Sequence, residues 1–192
     1  MSISDNISSW KHRAEIDYFS IFIPLWLAFD SWFKDKYGEH NQRDCIETLK
    51  NDEINNKTYH KFKSLINGTD SISENFKSNF KQLNEALESA PIYYECTSNN
   101  SERKIVSFKN ALVDRENGEY EDLFRQSKQH DKIELVEGVY LTDEIPKIYK
   151  GYIEILYQVR CRLFHGNFSP NKENERTVKL LYLTLKDLID EI

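Results

Sequence analysis

Residues 145–166 read Ile-Pro-Lys-Ile-Tyr-Lys-Gly-Tyr-Ile-Glu-Ile-Leu-Tyr-Gln-Val-Arg-Cys-Arg-Leu-Phe-His-Gly. Ile145, Ile148, Tyr152, Ile155, Val159 and Leu163 recur three and four apart, the spacing of a helix with one apolar seam. Pro146 falls in the first turn, where its missing N–H does no harm. Thr142 or Asp143 is the expected cap, and Gly166 and Pro170 are the expected stop. A helix this long and this apolar must be covered by others, so the stretch predicts a helical bundle.

Downstream, a last helix from about Asn174 carries Val178, Leu181, Leu185, Leu188 and Ile192 in a second three-four seam. Leu180, Tyr182 and Leu183 make it apolar on further sides, which predicts a central position. Upstream, Ile16–Tyr37 has the same period, with Phe19, Phe22, Trp26, Phe29 and Phe33 on one broad face. Pro24 falls on the outward side of that helix, where a proline is best tolerated. Asp30 sits on the flank of the apolar stripe and needs a partner if buried. Gly38 ends the helix. Shorter helices are expected at Gln42–Lys50 and Lys57–Ile66. A longer one, capped by Ser73 and running to Ser89, has Phe76, Phe80, Leu83 and Leu87 as its core face.

The middle of the chain reads differently. Ile92–Cys96, Lys104–Phe108, Ile133–Val136 and Val139–Leu141 are short β-prone runs, and a short helix is expected near Tyr120–Lys128. The reading is therefore an all-α domain over residues 1–192, an antiparallel bundle with a small irregular or β-hairpin insertion at about 91–142.

Composition narrows the function. The chain of 192 residues has 11 Tyr, 11 Phe and 3 Trp, enough aromatic surface for a packed core. Its net charge of −6 supplies no overall field for nucleic acid, so any RNA contact must come from a local patch. Cys45, Cys96 and Cys161 are scattered and form no CxxC pair, which argues against a disulfide framework or a zinc site. His12, His40, His60, His130 and His165 have no partner at metal-ligand spacing. No metal or cofactor is expected. The apolar stretch Tyr18–Phe29 is about half the length needed to span a bilayer. No signal-peptide layout precedes it. The expectation is a soluble protein of the cytoplasm.

Chemistry-bearing groups gather at the end of the 145–166 helix. Arg160 is a permanent planar cation suited to phosphate, and His165 exchanges a proton near neutral pH. Metal-free RNA cleavage needs a group that takes the 2′-hydroxyl proton and a group that protonates the leaving 5′-oxygen. It also needs a cation for the charge building on phosphorus. One Arg–His pair is part of that set, and two pairs facing each other across a symmetric dimer complete it. Five positions on an ideal helix rotate about 140°, so the pair converges in one chain only if the helix unwinds near Phe164. Arg162, three residues from His165, is its nearer helical neighbour. The ordinary alternative is that a terminal Arg and His merely cap carbonyls and offset the helix dipole.

The segment Val159-Arg160-Cys161-Arg162-Leu163-Phe164-His165-Gly166 resembles the R-x4–6-H signature of the HEPN superfamily. Its ending is similar to that of HEPN proteins of bacterial defence and toxin–antitoxin systems. Trp26-Leu-Ala-Phe-Asp30-Ser-Trp-Phe33 resembles the W-x-A-F-[ND] pattern of some branches. Residues 40–140 carry no such likeness. The resemblance implies a helical bundle that dimerises through its motif-bearing helices. It also implies a metal-independent endoribonuclease with Arg160 and His165 as the catalytic pair. Arg162 would add phosphate affinity or be an ordinary solvated surface cation, and Asp30 would either orient Arg160 by an ion pair across helices or be a structural buried acid satisfied by a Tyr or a backbone N–H. Cys161 departs from the Asn, Asp or His usual after the arginine, and a thiol is a weak hydrogen-bonding group. That departure points to the second type of HEPN domain, a non-catalytic dimerisation module that binds RNA, nucleotide or a protein such as an antitoxin or neighbouring effector.

Overall fold

The chain is seen here in a computed structural model, which describes residues 15–38, 41–95, 103–108, 110–111, 124–166 and 168–192, with Ser4, Ile7, Ser8 and Lys11 besides. Six helices occur among them: α1 (Tyr18–Tyr37), α2 (Gln42–Asn51), α3 (Lys57–Asn67), α4 (Ser71–Ser89), α5 (Ile145–Phe164) and α6 (Lys172–Ile189). The fold is mainly helical, and its described strands lie between α4 and α5, all but Phe124–Arg125 where the β-prone runs placed them.

The helix ends follow short-range polar chemistry. Asp17 accepts from the Phe19 and Ser20 amides at the start of α1, satisfying donors that the helix itself leaves open. Gly38 closes α1 in the left-handed region, at φ +62°, with its amide donating to Lys34. Asn41, Asn56 and Asn171 cap α2, α3 and α6 in the same manner. Two expected caps are displaced. Asp70, not Ser73, caps α4, and the Ser73 hydroxyl donates back to it at 2.8 Å. Neither Thr142 nor Asp143 caps α5; Glu144 holds that position without a side-chain bond, and Thr142 Oγ1 accepts from the Glu144 amide instead.

The apolar seams face one continuous core. Phe22, Trp26, Phe29 and Phe33 of α1 are buried, and Pro24 faces solvent in an unbroken helix. Phe76, Phe80, Leu83 and Leu87 of α4 are buried with Phe62 of α3 and Tyr149 and Tyr152 of α5. Some of their rings meet edge-to-face, for example Phe62–Phe76 at 5.7 Å and Phe62–Tyr149 at 5.5 Å between centroids, and Phe62 stacks on Tyr152. Tyr152 donates to Thr184 Oγ1 at 2.8 Å, tying α5 to α6 inside the core. Helix α6 packs against α1, α3 and α4, and Val178, Leu181, Leu185 and Leu188 are buried. Ile192 departs from that seam, since it lies beyond the end of α6 and is exposed. From Ile148 to Leu156 most residues of α5 are buried on every side.

Among the described residues, five short strands form two antiparallel sheets. β1 (Tyr93–Glu95) pairs with β2 (Arg103–Ile105). β4 (Ile133–Val136) and β5 (Val139–Leu141) make a hairpin with an irregularity between Glu134 and Val136, and Gly138 turns at φ +77°. β3 (Phe124–Arg125) joins the other edge of β5, where a helix was expected at Tyr120–Lys128; positions 120–123 lie outside the described residues. β4 lies against α4, so Ile133 and Leu135 close one side of the core.

Candidate functional site

Three helices meet around the last two turns of α5. Its first turns are walled in, but Tyr157, Arg160, Cys161, Arg162 and Leu163 are half-buried, and Phe164 and His165 are exposed. Helix α1 borders this end through Trp26, and α2 borders it through Arg43.

The α2 side is a buried charge network. Glu154 is only 1% exposed. Arg43 grips it in bidentate fashion, Nη1 lying 2.9 and 2.8 Å from its two oxygens. Lys50 Nζ, also buried, lies 3.3 Å away, and Gln158 Nε2 donates at 3.2 Å. Glu47 contacts both Arg43 and Lys50. Two carboxylates and two cations thus share one site, the condition under which buried charge is tolerated. The Arg43 guanidinium also lies over the Tyr157 ring, 5.2 Å from its centroid. Tyr157 in turn lies beside the Cys161 thiol. Burial pushes its hydroxyl above the ordinary pKa, the neighbouring thiol adds to that, and the charges of Arg43 and Arg160 act in the opposite direction.

Arg160 has no acidic partner among the described residues. Its Nη1 points at Cys161 Sγ at 3.9 Å, a weak contact. Its Nε is buried without a hydrogen-bond acceptor, as is Nε1 of Trp26. The guanidinium sits between two rings, 6.0 Å from the Trp26 ring and 4.5 Å from the Phe164 ring. Aromatic faces, not carboxylates, therefore hold this cation in place.

The expected ion pair between Asp30 and Arg160 is not formed. Asp30 is buried, but its carboxylate accepts from Lys34 one turn along α1 at 2.7 Å and from Gln42 of α2. A lysine four residues on reaches a helical carboxylate without crossing to another element, so the local partner wins. Asp30 consequently ties α1 to α2 beside the site rather than orienting Arg160.

Arg160 and His165 do not converge through local unwinding. Helix α5 continues to Phe164, and His165 is its C-cap at φ −91° and ψ 6°. The His165 amide donates to Cys161 O at 3.1 Å, and Gly166 turns the chain at φ +71°. The two side chains thus keep the roughly 140° separation of helical geometry. The His165 ring is exposed and makes no hydrogen bond among the described residues. Arg162 lies half-buried in the last turn, where a cation also offsets the helix dipole. His12, His40 and Cys96 lie outside the described residues. Among the described ones, no cluster of His, Cys, Asp or Glu is arranged to hold a metal ion, and no helix is long and apolar enough to cross a membrane.

Arg43 and Glu154 are the part of this site that sequence reading missed. The available signal was Glu154 itself, a lone acid inside the run Ile153–Leu156 of a helix apolar on several sides. What the geometry defines is a mainly helical protein in which α5 ends with an exposed histidine and with Arg160, which has no acidic partner among the described residues. Compared with known proteins, the chain matches no family model, no curated protein and no solved structure.

Proposed function

We propose that the chain is a metal-independent endoribonuclease of HEPN type, working as a homodimer through the ends of α5. The observation that carries this reading is Arg160, a guanidinium without an acidic counter-charge among the described residues, at the same helix end as an exposed imidazole. A half-buried cation held by rings and free of carboxylates is suited to a phosphodiester. The 140° between Arg160 and His165 makes a site within one copy incomplete, and a second copy across a two-fold axis would complete it. The 2′-oxygen would attack phosphorus as one imidazole removes its proton, and the P–O5′ bond would break as the other imidazole protonates the leaving oxygen. Arg160 would stabilise the charge that builds on the phosphorus oxygens. The ends would be a 2′,3′-cyclic phosphate and a 5′-hydroxyl. On this reading the protein acts in the cytoplasm as a toxin or defence effector.

The test is cleavage of mixed RNA in EDTA by wild type, His165→Ala and Arg160→Ala. Wild type should leave 5′-hydroxyl ends, with each variant slower by at least about 100-fold, the scale of a lost acid–base group. RNA left intact by wild type refutes the enzyme.

A second reading has its own support. The net charge of −6 and Cys161 beside the arginine both suit a non-catalytic dimerisation module for an antitoxin or neighbouring effector. It predicts that Arg160→Ala alters the melting temperature or oligomeric state while RNA stays intact with every variant.

A further inference from the structure

Phe164 stands apart from the other phenylalanines at the core. Phe22, Phe29, Phe33, Phe62, Phe76 and Phe80 are fully buried, whereas Phe164 is 44% exposed. It is the last residue of α5, and its ring packs against the Arg160 guanidinium at 4.5 Å. The guanidinium covers part of the ring and leaves the rest in water. On the α1 side, Leu27 is 47% exposed, next to the Trp26 that flanks Arg160. The nearest acid of α1, Asp30, is already neutralised by Lys34.

We infer that Phe164 is a base-stacking residue, presenting its open ring to an unpaired nucleobase of the RNA whose phosphate Arg160 holds. This rests on the proposed RNA site. The two residues are four positions apart, about 6 Å along the axis, and their guanidinium and ring lie 4.5 Å apart, a span comparable to that between a nucleotide's phosphate and its own base. A phosphate on Arg160 therefore brings one base to the ring. Stacking is tolerant of base identity because every base has a π-face, and a base locked in a duplex cannot reach an aromatic side chain. The site accordingly selects single-stranded RNA, loops or bulges.

Fluorescence anisotropy with a 2′-O-methyl oligonucleotide, which cannot be cleaved, tests this apart from catalysis. A blunt-ended duplex of equal length, with no loop, serves as the paired control. Phe164→Ala and Phe164→Leu should weaken single-strand binding by about 5- to 150-fold, the range for loss of one base–aromatic stack. Phe164→Trp should stay within about threefold of wild type, and duplex binding should move little in any variant. Melting curves establish that each variant is folded. Rescue by leucine equal to that by tryptophan would overturn stacking, as would unchanged binding by Phe164→Ala. A shift from dimer to monomer in Phe164→Ala would also overturn it, since the ring would then belong to the seam between copies. If wild type cleaves RNA yet Phe164→Ala binds normally, only the stacking role fails. If wild type neither binds nor cleaves, the RNA site fails and takes this inference with it.

Discussion

Replacing Arg43 with methionine removes the grip on Glu154 while keeping most of the side-chain volume. The carboxylate it leaves is 1% exposed and has lost two short, charge-assisted bonds, at 2.9 and 2.8 Å. Breaking a buried pair from one side costs about 3–5 kcal/mol when the remaining charge is uncompensated. Here Lys50 remains at 3.3 Å and Gln158 at 3.2 Å, and Arg43 itself keeps 21% of its side chain in solvent. The expected loss is therefore at or below the lower edge of that range, about 2–3 kcal/mol. For a chain of this size that lowers the melting temperature by roughly 4–12 °C. Urea unfolding reads it directly. A double-mutant cycle with Glu154→Leu makes it specific, because the double variant should lose at least about 1 kcal/mol less than the two single losses added together. An Arg43→Met protein within about 0.5 kcal/mol of wild type would mean that the network has no more weight than a surface ion pair.

Two further outcomes can be checked in solution. Burial raises the Asp187 carboxyl above its ordinary pKa, with Asp190 adding to the rise and Lys186 and Lys61 opposing it. The folded state then holds that proton more tightly than the unfolded chain, so stability falls as pH climbs from about 4 through the folded value. Asp187→Asn should raise stability at pH 7 and flatten that limb of the urea-midpoint profile; an unchanged profile counts against the assignment. Gly38 stands at φ +62° with open space where a Cβ would sit, so Gly38→Ala meets only backbone strain. A loss of about 1 kcal/mol is expected, and a melting temperature equal to wild type would show that α1 ends differently in solution.

How much of this could be read from the chain depends on the range of each interaction. The seams of α1, α4, α5 and α6 were legible because a packed helix repeats its apolar positions every turn. Phe22, Trp26, Phe29 and Phe33 sit where that period put them. Cap positions slipped where several candidates stand in a row, as in Thr69-Asp70-Ser71-Ile72-Ser73, and only the geometry of the turn decides among them. β3 is two residues long and carries no period at all. The grip of Arg43 on Glu154 joins positions 111 apart, and no local pattern reports it. Asp30 illustrates the middle ground. Its need for a partner was evident, but Lys34 at the next turn and Gln42 were overlooked in favour of a more distant arginine.

The uneven burial of α5 divides its residues into two kinds. Tyr149, Tyr152, Ile153 and Leu156 are hemmed in by neighbours, and in such packing even one added methylene is felt. Phe164 and His165 project from the far end into open water, where side chains can be exchanged with little disturbance beneath. A mast stepped firmly into the hull can carry different sails. Libraries confined to positions 164 and 165 should therefore yield mostly folded proteins, and the preferences of this helix tip can be recast without rebuilding what holds it upright.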